Sequence, residues 1–320
     1  MCATSTHPEV RGEHIAVGFP GQGSQGPCMG VPWYGHRAWN LVEYAEQHLG
    51  RPLVPMLLDP AVPPNGATET QLAVVMVSMM AWSQLEQEVA PRVLAGHSLG
   101  LIPALFAAGV LTAKEAVTVA SLRALVTEEA CRRHPGGMAA VLMPVADAEA
   151  ACAEHECWVA NDNAPQQAVI SGTRTGLRAS MAAARRFGAA DVIQLDIAGA
   201  FHSPLMKEAS ARFQELLQEI DFAPTRAVIV HNAVAHPPGS ATDWRAVVAA
   251  DLVTPVRWRE TQLLLARRGL TTFIEAGYGR TLTGIAKRTL DQVRLVNASS
   301  PQAITELART LGRPAPLVRQ

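Results

Sequence analysis

Apolar and polar positions fall in blocks along this chain, and the length of each block separates strand from helix. IAVGF, residues 15–19, is an unbroken apolar run too short for a helix, and it ends on Pro20 and Gly21. It predicts a buried strand that runs into a loop. TETQLAVVMVSMMAWSQLEQEV, residues 68–89, stays apolar over several helical turns and predicts a buried helix. RVLAGHSLGLIPALFAAGVL, residues 92–111, reads as strand, tight turn and helix. Strand, helix, strand, helix in that order predicts a parallel sheet with right-handed crossovers.

The pattern changes in the middle of the chain. GGMAAVLMP (136–144) and AVISGT (168–173) are strand-like and flank VADAEAACAEHE. RTGLRASMAAARRFG is an amphipathic helix leading to the strand-like ADVIQLDI. A β-α-β-β-α-β-like order predicts a small ferredoxin-like unit at 135–198, inserted into a larger α/β domain of 1–134 and 199–320. The larger domain resumes with a helix in AFHSPLMKEASARFQELLQEI and two strand-to-loop units, AVIVHNAV and TTFIEAGYG.

Of 320 residues, 48% are hydrophobic and 17% charged, enough to bury a sizeable core. With 27 basic against 28 acidic residues, net charge near −1 points away from nucleic acid, so any anionic partner must meet a local patch. Cys2, Cys28, Cys131, Cys152 and Cys157 are scattered without CxxC spacing, which argues against a disulfide framework and a zinc site. The N-terminal MCATSTHPEVRGEH has no signal-peptide pattern and no run is long enough to span a membrane, so a cytoplasmic location is expected. A mildly Pro-rich tail lies at 313–316.

Candidate chemistry starts at GHSLG, residues 96–100. Gly-x-Ser-x-Gly on a strand-to-helix turn exposes a serine oxygen and turns nearby N–H groups to the same point, as acyl transfer requires. The competing reading is a small-residue packing turn. A serine nucleophile needs a base. Among ten histidines, His97 adjoins the serine and is expected to point away, whereas His202 follows a predicted strand and opens a helix with Ser203 as cap and Pro204 at its first position. That is the sheet edge where α/β sites collect.

FPGQGSQ (19–25), GHSLG, Arg123 in ASLRALV, NDNAPQQAVISG (161–172), GAFHSPLM (199–206), TPVRW (254–258) and EAGYGRTLTGIAKR (275–288) occur in order. Together they resemble the acyl-CoA:acyl-carrier-protein acyltransferase family of malonyl transacylases and polyketide synthase acyltransferases, over nearly all of residues 14–295. The resemblance implies an α/β-hydrolase-like large domain, no bound cofactor or metal, and a coenzyme A thioester, malonyl-CoA first, as substrate. Carried over by position, Ser98 is the nucleophile and His202 the base, oriented by a main-chain carbonyl placed at Asp251. The N–H groups of Gln22 and Leu99 form the oxyanion hole, and Arg123 pairs with the substrate carboxylate. Phe201 sits where a bulky residue accompanies malonyl selectivity.

Two positions depart from the family. Leu101 stands where Glu is common, and Val74 where a Gln-Pro-Ala run is common, so both are expected to make the outer wall of the pocket greasier. The second substrate is an acyl carrier protein with a phosphopantetheine arm, which calls for local basic groups. Arg185, Arg186, Lys207, Lys287 and Arg288 are the candidates. Other readings use the same residues: an unusual acyl group or carrier-bound donor, a hydrolase that clears acyl carriers, or a non-catalytic carrier-docking protein.

Overall fold

A computed structural model describes residues 14–64, 66–89 and 91–311, which form a six-stranded and a four-stranded sheet. Cys2, His7 and the 313–316 tail lie outside the described residues. The first apolar run is β1 (Ile15–Phe19), buried at every position. Helices α1 (Asn40–Leu49), α2 (Val54–Leu58) and α3 (Gly66–Glu88) lead to β2 (Val93–Gly96), α4 (Leu101–Ala107) and α5 (Ala113–Arg133). α3 is buried without a break from Thr70 to Trp82. A helix apolar all round needs cover on every side, and α4, α5 and the C-terminal helix described below supply it.

The chain then enters the smaller sheet through β3 (Gly136–Val141), α6 (Val145–Cys152), β4 (Cys157–Ala164), β5 (Gln167–Thr173), α7 (Arg174–Arg186) and β6 (Val192–Gln194). All its pairings are antiparallel, in the order β4-β5-β3-β6, as a βαββαβ unit requires. Alternation divides its two faces. Ala139, Val141, Ala168 and Ile170 form a separate apolar cluster with Leu177 and Ala184 of α7 and Ala148 and Cys152 of α6, while Met138, Ala140 and Val169 face the opposite way, toward the large sheet.

The return path is α8 (Lys207–Leu216), β7 (Val228–His231), β8 (Val234–His236), α9 (Trp244–Ala250), α10 (Trp258–Arg267), β9 (Thr272–Ala276), α11 (Thr281–Ala286), β10 (Arg294–Ala298) and α12 (Pro301–Leu311). The large sheet has the order β10-β9-β1-β2-β7-β8 and is parallel except for β8. AVIVHNAV is therefore not one strand-to-loop unit but a hairpin: Asn232 and Ala233 both take positive φ, 44° and 64°, and fold β8 back onto β7 as an edge.

The sheets are tied at one edge. Asp162 N–H donates to the Val256 carbonyl at 2.9 Å and Val256 N–H to the Ala160 carbonyl at 2.8 Å. Arg259 of α10 grips Asp162 with Nε at 2.9 and 3.0 Å and Nη2 at 2.7 Å. The small sheet is thereby held over the C-terminal ends of β1 and β2. Among the described residues no helix is long and apolar enough to cross a membrane.

Candidate active site

The C-terminal ends of the parallel pair β1 and β2 bring two loops side by side, as Phe19 aligns with Gly96 and the His97 N–H donates to the Phe19 carbonyl at 3.0 Å. Ser98 opens the tight turn beyond β2 with φ of 53°, a left-handed conformation that costs a non-glycine residue about 1–3 kcal/mol. The flanking glycines make the turn possible. A Cβ on Gly100 would lie 2.0 Å from the Phe19 oxygen, and one on Gly96 would lie 2.3 Å from the Leu101 nitrogen. Across the site, His202 also has positive φ, 57°, just before the turn that Ser203 caps through the Leu205 N–H.

Ser98 Oγ and His202 Nε2 are 2.7 Å apart. His202 Nδ1 lies 2.9 Å from the Thr254 carbonyl, so Nδ1 carries the proton and donates, and Nε2 is left to accept from the serine hydroxyl. The orienting carbonyl is thus that of Thr254 and not Asp251 as expected: the loop after α9 turns so that Leu252 accepts the His202 backbone N–H at 2.9 Å and Thr254 the ring N–H. Burial, foremost, holds His202 well below an ordinary imidazole, at about 4. It is neutral and ready to take a proton near pH 7.

Arg123, in the middle of α5, is 3% exposed. Nη1 donates to Gln71 Oε1 at 2.7 Å and Nη2 to Ser98 Oγ at 3.3 Å. Burial lowers its pKa to about 10, so it stays cationic at neutral pH, and no carboxylate lies within ion-pair distance of it among the described residues. Gln71 in turn donates to Thr127 Oγ1, which donates to the Arg123 carbonyl, closing a buried polar circuit between α3 and α5. Gln71 was not anticipated. Its signal is a fully buried amide in an otherwise apolar helix, which must have a partner.

These groups open into a cleft of about 490 Å³ between the two sheets. Gln22, His97, Ser98, Arg123, Phe201 and His202 line it from the large domain. Met138, Asn161, Asn163, Gln167 and Val169 roof it from the small sheet. His97 does not point away: its Nε2 and Asn163 Oδ1 are 2.9 Å apart, and its ring packs edge-on against Trp258. Asn161 and Asn163, whose roles the motif alone did not assign, line the cleft on the stretch of β4 whose register against β5 shifts between Val159 and Asn161 and between Asp162 and Ala164.

Other expectations fail on placement. Leu101 and Val74 are 2% and 1% exposed within the apolar core and do not line the cleft, so neither greases its wall. Arg185 and Arg186 sit on α7, which covers the face of the small sheet turned away from the cleft; Arg185 spends one amino group on the Val192 carbonyl. Lys207 and Lys287 are exposed outside the cleft lining. Arg288 alone of this basic set lines it, donating to Gln167 Oε1 at 3.2 Å. Gln22 lies on the loop after β1 and lines the cleft, and Leu99 follows Ser98 on the turn after β2.

Residues 18–313 match the acyl transferase domain family. The chain belongs to that family. Among curated relatives, the malonyl CoA-acyl carrier protein transacylase of Bacillus subtilis (strain 168) is 32% identical over 307 residues, 93% of this chain and 97% of that protein. Among solved structures, the acyl-carrier-protein S-malonyltransferase of Burkholderia pseudomallei 1710b superposes with a TM-score of 0.87 at 30% identity, covering 92% of this chain and 99% of that one. A malonyl-transacylase in complex with a type II PKS acyl-carrier protein gives 0.88 at 28% identity, covering 93% and 99%. The chain is an acyltransferase with a parallel-sheet core and a small antiparallel sheet.

Proposed function

We propose that this acyltransferase moves a malonyl group from coenzyme A to the phosphopantetheine thiol of an acyl carrier protein, for fatty-acid or polyketide synthesis, through an ester on Ser98. The observation that carries the reading is a buried guanidinium with no carboxylate in ion-pair contact, beside a serine already bonded to a neutral imidazole. A malonyl carboxylate would pair with Arg123 through two parallel N–H donors, whereas an uncharged acyl tail would leave the buried cation without a direct ion-pair partner. Phe201, at 5% exposure in the cleft, stands beside His202 where an α-substituent on the acyl group would need space.

The steps follow from the dyad. Ser98 Oγ attacks the thioester carbonyl as its proton passes to His202 Nε2, and Thr254 holds the resulting imidazolium through Nδ1–H. The Gln22 and Leu99 N–H groups receive the oxyanion, each donor worth about 3–4 kcal/mol. The C–S bond breaks, His202 returns the proton to the departing thiolate, and the carrier thiol then enters by the reverse path. The 135–198 subdomain roofs the ester against water. Arg288, with Lys207 and Lys287 farther out, would meet the acidic carrier, a role that Arg185 and Arg186 cannot share from the far face.

Intact-mass measurement after mixing with malonyl-CoA tests the reading: an adduct of about 86 Da, the mass of a malonyl ester, lost in Ser98→Ala and discharged by a phosphopantetheinylated carrier, is expected. Absence of any adduct, or discharge to water faster than to carrier, refutes it.

A further inference from the structure

Asp251 is a buried carboxylate next in sequence to Leu252, whose carbonyl holds the His202 backbone, and the steps above have no use for it. It is 3% exposed at the C-terminal end of α9, where the partial negative charge of the helix end disfavours an anion. Its Oδ1 has no hydrogen-bond partner, and the closest cation-capable group is His231 Nε2 at 3.5 Å. Isolation of this kind is costly for a carboxylate unless nearby charge compensates it. The compensating charge is on the other side of the loop. The peptide that leaves Asp251 wraps His202, with Leu252 on its backbone N–H and Thr254 on its ring, and this brings the carboxylate within electrostatic reach of His202, Arg123 and His97.

We propose that Asp251 is a positioning residue for the transfer: its carboxylate, steadied by His231, balances Arg123 in the empty site and stabilises the proton that His202 holds once a substrate carboxylate has neutralised Arg123. The inference rests on the malonyl reading above. With the site empty, Arg123 and Asp251 cancel and His202 stays neutral, free to act as a base. When a malonyl carboxylate docks, the cluster becomes net negative just as Ser98 must give up its proton, and the imidazolium is the cation that restores balance. Asp251 neither gives nor takes a proton. The proton moves from Ser98 to His202 and on to the thiolate of the departing coenzyme A.

The groups facing His202 divide by sign. Burial, Arg123 and His97 hold its proton affinity down; Asp251 and the Thr254 carbonyl act against them. Removing the Asp251 charge should therefore lower that affinity further. The test is the pH profile of malonyl-enzyme formation, followed by quenched intact mass in wild type, Asp251→Asn and Asp251→Glu. In Asp251→Asn the acid limb should move down by about one pH unit, a tenfold loss of proton affinity, and the plateau rate should fall roughly three- to tenfold as the base weakens. Asp251→Glu should restore the limb. A folded Asp251→Asn enzyme whose limb is unmoved overturns the inference, because a structural role would lower the rate equally at every pH. If Asp251→Asn does not fold, Asp251→Ser carries the same expectation and the same refutation. No adduct in the wild type overturns the malonyl reading and this inference with it; wild-type acylation with an unshifted variant limb overturns this inference alone.

Discussion

Replacing Arg123 with Ala separates its two duties. In the empty site its guanidinium donates to Gln71 and Ser98 and has no carboxylate partner. With malonyl bound, the variant would leave a buried substrate charge unpaired, a loss of about 3–5 kcal/mol. At 1.36 kcal/mol per power of ten, that is a fall of about 10²–10⁴-fold in malonyl kcat/KM. An acetyl group never makes this bond, so its rate should change by no more than about tenfold. The variant also orphans Gln71 Oε1, at about 1–3 kcal/mol of stability, which lowers the folded fraction for both substrates alike. The ratio of malonyl to acetyl kcat/KM, measured by transfer to a carrier on one enzyme preparation, cancels that loss and should fall at least about tenfold. Arg123→Lys, which keeps charge but loses the planar fork, should fall between. Equal losses for the two acyl groups would refute the clamp and reduce Arg123 to a strut between α3 and α5.

Three further outcomes are expected. His202 is held at about 4 by burial against an ordinary 6.5, so its protonation opposes folding: the stability it contributes is complete above about pH 6.5 and is lost as pH falls from there through about 4. Chemical denaturation should show the advantage of wild type over His202→Asn shrinking by about 3 kcal/mol between pH 7 and 4; a difference independent of pH contradicts the buried neutral imidazole. Glu275, wholly buried, accepts from the N–H groups of Leu282 and Thr283 and from the Thr283 hydroxyl at the start of α11. Glu275→Ala should lower unfolding free energy by about 3 kcal/mol, and a thermal midpoint equal to wild type would show that α11 needs no such anchor. Phe201→Ala should improve methylmalonyl relative to malonyl transfer by about 1–3 kcal/mol, read as competing acyl-enzyme masses; an unchanged ratio removes Phe201 from the acyl pocket.

Much of this was legible in the order of apolar blocks. IAVGF is β1 residue for residue, and the buried helix at 68–89 is α3, Gly66–Glu88, to within two residues at either end. What the pattern could not show depends on backbone path. Every residue has a carbonyl, so nothing in DLVTPVRW marks Thr254 over Asp251 as the partner of His202; the choice is made by the turn after α9. Arg185 and Arg186 looked like carrier contacts because an amphipathic helix displays its charges without revealing which sheet face it covers. The family position of Leu101, where Glu is common, points to the pocket wall, yet the first turn of α4 carries it round into the core. Asn232 and Ala233 carry a hairpin signal too weak to read, since alanine is an uncommon occupant of a left-handed position.

The same dependence on path explains how the dyad stays aligned without substrate. Both members sit at positive φ, and each non-glycine residue there costs about 1–3 kcal/mol. Such strain persists only where the surroundings leave no alternative. At Ser98 the constraint is contact: Gly96 and Gly100 pack their Cα atoms against backbone with no room for a side chain, and the His97 N–H and carbonyl are bonded to Phe19 and Gly100. At His202 it is the pair of carbonyls from Leu252 and Thr254, one on the backbone and one on the ring. Neither constraint involves the cleft, so neither needs a ligand. The 2.7 Å Ser98–His202 contact is therefore a property of the resting protein, and binding energy from the carboxylate on Arg123 is free to act on the position of the thioester carbonyl, the one reacting atom the protein does not hold in advance.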